Sequence, residues 1–252
     1  MKAIVKSSGR LILLSVFCMA EGAFAQQRVL PEPVRMVRAM DLLSRPLTSM
    51  PNVGLAHLPP EVKGDIYLVP YWNKASIMLY ADEQILEGLA VKFDIYRNEF
   101  DIRFSNGVRV LPGSKVKTVV WADSLTRQLR YLINASDFKE DGVPMKGFFE
   151  VLSDGAIPLL SLSYIEVLEP DFNPALNVGS RDIRLVQKSN YYYASGDQVF
   201  RIKSKKQLEE LFHKHQKEMK DFMKKNQVNI NKASSLRMVF DYYNYYLNKP
   251  SD

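Results

Sequence analysis

The sequence predicts an α+β, mainly β protein: a curled antiparallel meander sheet, barrel-like or sandwich-like, with a C-terminal helical hairpin. Three observations carry this. From Gly64 to about Ile202, short segments of alternating apolar residues follow one another with turn residues between them, the pattern of hairpin-joined strands. Nothing in that stretch alternates strand with helix, as a parallel sheet requires. After Ser204 the apolar spacing lengthens to the helical period.

The organisation reads as four parts: 1–25, a signal peptide; 26–61, a proline-rich arm; 62–203, an antiparallel β body; and 204–252, a helical hairpin packed on that body. Lys2, Lys6 and Arg10 precede the apolar run LILLSVFCMA, and Ala23-Phe24-Ala25 forms an A-x-A cleavage pattern before Gln26. That is the layout of a secretory signal. Ten apolar residues are about half of what a spanning helix needs. Cys18 is the one cysteine. Val16 and Phe17 precede it instead of small residues, which argues against lipidation. Cleavage after residue 25 of 252 leaves 227 residues without a thiol, so neither disulfides nor a thiolate site is expected. The expected location is periplasmic or extracellular, with no transmembrane span. Stability must come from a core, and 227 residues are enough to bury one.

The arm carries Pro31, Pro33, Pro46, Pro51, Pro59 and Pro60, which repeatedly interrupt regular structure. VRMVRAMDLLS within it suits a short helix. Strands are expected at DIYLV, ASIMLY, LAVKFDIY, EFDIRF, KVKTVVW, RQLRYLI, GFFEVLS, PLLSLSYIEV, RDIRLVQ, NYYYA and QVFRI. Asp154-Gly155 and Ser195-Gly196-Asp197 mark tight hairpins. In VKFDIYRNEFDIRF an even loop brings Val91, Phe93 and Ile95 onto one face with Phe100, Ile102 and Phe104. The expected register sets Phe93 across from Ile102. The other face, with Lys92, Asp94, Asp101 and Arg103, then reads as a solvated charge lattice; a carboxylate metal pair is its sharper alternative.

Ser204-Lys205-Lys206-Gln207 is a capping box. Leu208, Leu211, Phe212, His215, Met219, Phe222 and Met223 recur at helical spacing up to a stop at Asn226. A second helix runs from Lys232 or Ser234 to Leu247, with Leu236, Val239, Phe240, Tyr243, Tyr246 and Leu247 as its inner stripe. Tyr242, Tyr245 and Met238 fall on its flank. In Tyr191-Tyr192-Tyr193, alternation sends two rings one way and one the other.

Chemistry is sparse. The net charge of +6 falls to +4 once Lys2, Lys6, Arg10 and Glu21 leave with the signal, and the excess is spread along the chain. Nucleic-acid binding wants a concentrated basic face. His213 and His215 lie about 200° apart on a helix, so they do not share an ion. No P-loop, G-x-G-x-x-G, G-x-S-x-G or H-E-x-x-H occurs. His57, in the arm, is the third histidine. No metal and no cofactor is expected. Asn134-Ala135-Ser136 is a formal sequon.

GDIYLVPYW, VKFDIYRNEFDIR, GFFEVL, NYYYASGDQVFRIKSKKQL, FMKKNQVNINK and the closing YYN, spread over 62–247, resemble a family of uncharacterised exported proteins of Bacteroidota. The resemblance implies an envelope location and a β body with terminal helices, and no activity. It also makes Asp123-Ser124-Leu125 similar to that phylum's O-glycosylation pattern, with Ser124 as acceptor. Ala81-Asp82-Glu83 departs from the family by lacking an Asp-Gly type turn.

The function expected is that of an exported, non-enzymatic envelope protein, binding or structural. It would meet an envelope protein or polymer through Tyr242, Tyr245, Met238 and Tyr192. One alternative is a carrier of a small apolar ligand inside the curled sheet. The other is a carbohydrate-acting enzyme using paired carboxylates.

Overall fold

The computed structural model describes Arg45–Pro46 and residues 61–247 except Pro174. The expected signal peptide, nearly all of the expected arm and His57 lie outside the described residues. Fourteen strands form one sheet: β1 (Arg45–Pro46), β2 (Val62–Lys63), β3 (Asn73–Leu79), β4 (Ile85–Asp94), β5 (Glu99–Phe104), β6 (Gly107–Pro112), β7 (Val116–Ala122), β8 (Leu129–Asn134), β9 (Lys139–Glu140), β10 (Val143–Pro144), β11 (Phe148–Ser153), β12 (Leu159–Leu168), β13 (Ile183–Ser195) and β14 (Gln198–Arg201). Three α-helices follow: α1 (Lys205–Leu211), α2 (Gln216–Lys225) and α3 (Ala233–Asp241). The fold is mainly β with C-terminal helices, as the periodicity predicts.

The strand order is β1-β6-β5-β4-β3-β7-β8-β11-β12-β13-β14-β9-β10, with β2 beside β13. The ends of this path do not join, so the sheet is curled, as expected, and unclosed. It is mixed, because β2–β13 and β9–β14 are parallel contacts. Connection lengths force the curl. On a flat sheet β6 and β7 would stand about 19 Å apart laterally. Gly113–Lys115 is their only link, and it reaches about 14 Å fully extended. The first half therefore rolls until β6 nears β7. The second half rolls likewise: β9 follows β8 after residues 135–138, yet it pairs with β14 at the far side of β11–β13.

Each roll has its own apolar interior. The first holds Ile77, Leu86, Val91, Phe93, Phe100, Ile102, Leu111 and Trp121; the second holds Phe149, Leu160, Tyr192, Ala194 and Val199. β11 belongs to both. Its adjacent residues point to opposite faces, so Phe148 enters the first core and Phe149 the second. Phe148 meets Phe93 and Phe100 edge-on at 5.2 and 5.0 Å.

The β4–β5 hairpin keeps the even loop but not the expected register. Ile95–Asn98 forms a four-residue turn that sets Phe93 against Phe100 and Lys92 against Asp101. Asp94 selects this turn: its Oδ1 accepts the backbone N–H groups of Tyr96 and Arg97 at 3.0 and 2.8 Å. Lys92 and Asp101 now face one another with opposite charge, which is favourable across a strand pair, while Asp94 stands opposite Glu99.

Three of the four charges on that face, Lys92, Asp94 and Asp101, are buried rather than solvated, while Arg103 stays exposed over the Trp72 ring. DIYLV does not form a regular strand. It crosses the β4–β5 hairpin through a single bridge, Tyr67 to Asp94. Tyr67 O–H donates to Asp101 Oδ2 at 2.6 Å. Lys92, 7% exposed, places its ammonium over the Tyr67 ring at 4.6 Å and the Trp72 ring at 5.5 Å.

Other corrections concern punctuation. GVRVLP forms β6, a strand the turn residues around it concealed. RDIRLVQ and NYYYA form the single strand β13, paired with β12 over ten residues. Asp154-Gly155 opens a longer loop, 154–158, between β11 and β12, while Gly196-Asp197 does make a two-residue hairpin. Ala81-Asp82-Glu83 turns without glycine, with positive φ at Asp82 and Glu83.

The capping box forms. Gln207 N–H donates to Ser204 Oγ at 3.2 Å, and Gln207 Oε1 accepts from Lys203 N–H at 2.9 Å. The expected long helix is broken into α1, a 3₁₀ turn at His213–His215, and α2. The break lets both halves bury their stripes, with Leu208 and Phe212 before it and Met219 and Met223 after it. α3 packs on β11 and β12, and Leu236, Val239, Phe240 and Tyr243 close this third core over Leu159, Tyr191 and Tyr193. Residues Tyr242–Leu247 continue α3 as a π-helix. Its wider turn rotates Tyr246 off the inner stripe. Tyr246 is 72% exposed, while Tyr243 is 5% exposed.

Candidate functional site

The π-turn after α3 positions the most elaborate surface feature. It delivers Asn244 inward, onto the 154–158 loop. Asn244 Nδ2 donates to the carbonyls of Asp154 and Ile157 at 3.2 and 3.0 Å, and its Oδ1 accepts Ile157 N–H at 3.2 Å. Gly155, at φ +135°, lies against this amide. The loop is thereby held in one shape by a residue 87 to 90 positions away.

One turn earlier, Asp241 is held from two sides. Ser153 O–H donates to Asp241 Oδ1 at 2.6 Å, and Arg237 Nε stands 3.6 Å from Oδ2. The spacing i, i+4 places Arg237 and Asp241 on one helix face.

This ion pair forms a ridge between two depressions. On one side is a cleft of about 780 Å³ at the mouth of the second roll. Ile133, Phe138, Val151 and Leu160 supply apolar surface; Tyr131, Asp154 and Tyr245 stand with the ion pair among its polar groups. On the other side is a hollow of about 580 Å³ between α2 and α3, lined by Phe222, Met238, Tyr242 and Tyr246. Tyr242 stacks flat on Phe222 at 4.0 Å, and Tyr246 leans over Tyr242 at 5.8 Å. Arg237 and Asp241 line both. Volumes in this range suit small ligands or short segments of a polymer.

The sequence-derived candidates divide. Tyr245, 54% exposed, borders the larger cleft. Met238 and Tyr242, half-buried, line the smaller hollow. Tyr192 is 3% exposed and packs edge-on against Phe149 at 5.3 Å; its ring belongs to the second core and is not at this surface. Sequence reading missed Arg237, Asp241, Asn244, Ser153 and Tyr131. The i, i+4 pair and the lone amide inside the tyrosine run were the available signals. Ser153 and Tyr131 reach the site only through the sheet.

Of the acids of the β body, Asp154 borders the cleft and Glu150 does not line it. Glu150 is bound by Arg130 through two bonds of 2.7 Å, and that guanidinium lies over the Trp121 ring. Asp154 and Asp241 do line one cleft, but Asp241 is bound by Ser153 and Arg237. His213 and His215 sit in the 3₁₀ turn, where His215 Nδ1 meets Glu218 at 2.7 Å. Among the described residues no three His, Asp or Glu side chains converge as metal ligands would. Nor is any described helix long and apolar enough to cross a membrane.

Ser124 lies exposed in the β7–β8 turn, its hydroxyl donating to Trp72 O at 2.5 Å. Asn134 of the sequon is buried, and its Nδ2 donates to the carbonyls of Gly113 and Val116 at 3.0 and 2.7 Å. The buried charged face of β4–β5 perturbs its own acids. Burial raises Asp94 to about 6, against the pull of the Arg97 N–H and guanidinium. Burial also raises Asp101 and Tyr67. Asp123 goes the other way, held down at about 2 chiefly by the Thr126 N–H.

No protein-family model, curated protein or solved structure matches the chain.

Proposed function

We propose that the protein is an exported envelope protein that binds an extended ligand across α3 and carries out no reaction on it. One observation supports this above the rest: two depressions share the Arg237–Asp241 pair as a common rim and are bordered by exposed tyrosines. Concave surfaces that combine apolar walls with a few fixed polar groups are the usual form of ligand sites. Tyrosine, methionine and arginine are the residues that most often anchor partners.

Binding without reaction fits the state of the carboxylates. Asp241 is paired and hydrogen-bonded, with one oxygen held by Ser153 and the other beside Arg237. The carrier reading has its own support in the apolar surface of the larger cleft. Against it, the interior behind that cleft is filled by Phe149, Tyr192 and Val199, so only the mouth offers room.

Export rests on the composition of residues 1–25, and the envelope setting on the resemblance to exported proteins of Bacteroidota. Ser124 as an O-glycan acceptor rests on the same resemblance and on its exposure in a turn. Intact mass and N-terminal sequencing of the protein from its own envelope test both, with Gln26 as the expected first residue.

The binding reading is tested by crosslinking and capture from intact envelopes, comparing the parent chain with a Tyr245→Ala/Tyr246→Ala double variant. Loss of the captured partner in the variant is expected. Equal capture by both chains would remove α3 from consideration.

A further inference from the structure

Resting on the reading of α3 as a binding ridge, we propose that the ligand is an uncharged glycan chain long enough to pass from one depression into the other. Length comes first. Arg237 and Asp241 border both hollows, so a ligand in either touches the same pair. Only an elongated ligand uses the whole surface.

Charge comes second. The Arg237 guanidinium and the Asp241 carboxylate lie 3.6 Å apart and largely cancel, with Ser153 completing the carboxylate's shell. The ridge thus offers donors and acceptors side by side with little net field. Hydroxyl groups, each both donor and acceptor, match such a pair. An anionic polymer would meet Asp154 and Asp241; a cationic one would meet Arg237, and the one excess carboxylate, Asp154, is exposed to water that screens it.

Apolar contact comes third. Tyr131, Tyr245 and Tyr246 are 43%, 54% and 72% exposed. They present flat rings with a polar tip. A pyranose ring has the matching make-up, with C–H groups on its face and hydroxyls on its edge. A fatty chain needs a dry, enclosed channel, and this surface is open and tipped with hydroxyls.

A peptide docking as an added strand is disfavoured by the sheet itself. β8 and β11 pair only from Leu132 to Asn134 and from Phe148 to Glu150. The stretches left unpaired on that side, Leu129–Tyr131 and Val151–Ser153, are shorter than a typical strand and offer an added peptide little edge.

The test uses the purified full chain and an array of neutral and charged oligosaccharides, from disaccharides to octasaccharides. Calorimetric titration of the best binder follows, with dodecanoate and a proline-rich peptide as competing probes. A neutral glycan is expected to bind, with affinity rising with length until both depressions are spanned. Tyr245→Ala and Tyr246→Ala should each weaken it roughly ten-fold, the loss of an anchoring ring. Tyr96→Ala, an exposed ring in the β4–β5 turn, should leave it unchanged. If only dodecanoate, the peptide or charged glycans bind, and Tyr245→Ala or Tyr246→Ala abolishes that binding, the cleft stands and the glycan is overturned. If no probe binds, or binding ignores both variants, the glycan and the cleft fall together.

Discussion

Gly155 lies so close to Asn244 that a β-carbon on it would stand 2.8 Å from the Asn244 Cβ. The contact joins the loop after β11 to the π-turn after α3, and so fixes the floor and one wall of the cleft at once. Asn244→Ala would leave Ile157 N–H and two carbonyls without their protein partner. A fully buried loss of this kind costs about 1–3 kcal/mol, but Asp154 is exposed and Ile157 half-buried, so water takes over part of the bonding. The variant is expected to lose about 2 kcal/mol in urea unfolding and to bind ligand more weakly. Gly155→Ala should do both as well, since its φ of +135° adds backbone strain to the clash. An unfolding midpoint equal to the parent's in both variants would show that the contact holds nothing in place.

Tyr243 and Tyr246 test what the π-turn does. Tyr243 stands 4.6 Å from the Phe212 ring in the third core. Its truncation to alanine is expected to cost roughly 3 kcal/mol. Tyr246→Ala should change stability by less than about 0.5 kcal/mol, as exposed positions do. A regular α-helix through residue 247 would make the two losses similar, so thermal unfolding of the pair reads the local geometry directly.

These two tyrosines also show how far a sequence carries. Most strand positions, the alternation of Tyr191, Tyr192 and Tyr193, the cap at Ser204 and the inward face of α3 follow from local periodicity and turn chemistry, while β6 and the irregular path of DIYLV do not. Tyr246 does not, because its orientation depends on a helix type that no spacing announces. The β4–β5 face looked solvated because Lys92, Asp94, Asp101 and Arg103 are all charged. What buries Lys92, Asp94 and Asp101 is Tyr67 and Trp72, brought over them by a crossing that only the whole sheet defines; Arg103 remains exposed. The cleft was half legible for the same reason. Tyr242, Tyr245 and Met238 announce themselves on one helix, while Ser153 and Tyr131 join them across distances in sequence that periodicity does not span.

Two of the perturbed acids, Asp94 and Asp123, give the stability profile opposite slopes. Asp94, raised to about 6 by burial, binds its proton more tightly folded than unfolded. It therefore favours the fold below about pH 4, and this advantage is lost as pH rises through about 6. Asp94→Asn keeps the oxygen that caps Tyr96 and Arg97 and removes the buried charge. It is expected to be more stable than the parent by on the order of 1 kcal/mol at pH 8, after allowing for partial solvation, and equal to it near pH 4. Asp123, held at about 2, contributes stability above about pH 4 that disappears as pH falls toward 2. Asp123→Asn should flatten that acid limb. Denaturant midpoints measured from pH 3 to 8 check both, and parallel curves for all three chains would contradict the assignment.

The last expectation concerns the corner that rolls the first half of the sheet. Gly113–Lys115 links β6 to β7, and Asn134 ties it down by donating to the carbonyls of Gly113 and Val116. Asn134→Asp would set a carboxylate against those two carbonyls in a buried site, 3% exposed. Such a group either takes up a proton or pushes the corner open, and about 3 kcal/mol of stability should go with it. Gly113→Ala should be at least as harmful, because a β-carbon would stand 2.6 Å from the Asn98 carbonyl oxygen. The same burial makes Asn134 a poor sequon: a secretory host that glycosylates Asn-x-Ser is expected to release the folded chain unmodified at this residue. Urea unfolding of the two variants measures the corner's strength. A glycan found on Asn134 of folded protein would mean that the corner opens and the sheet does not depend on it.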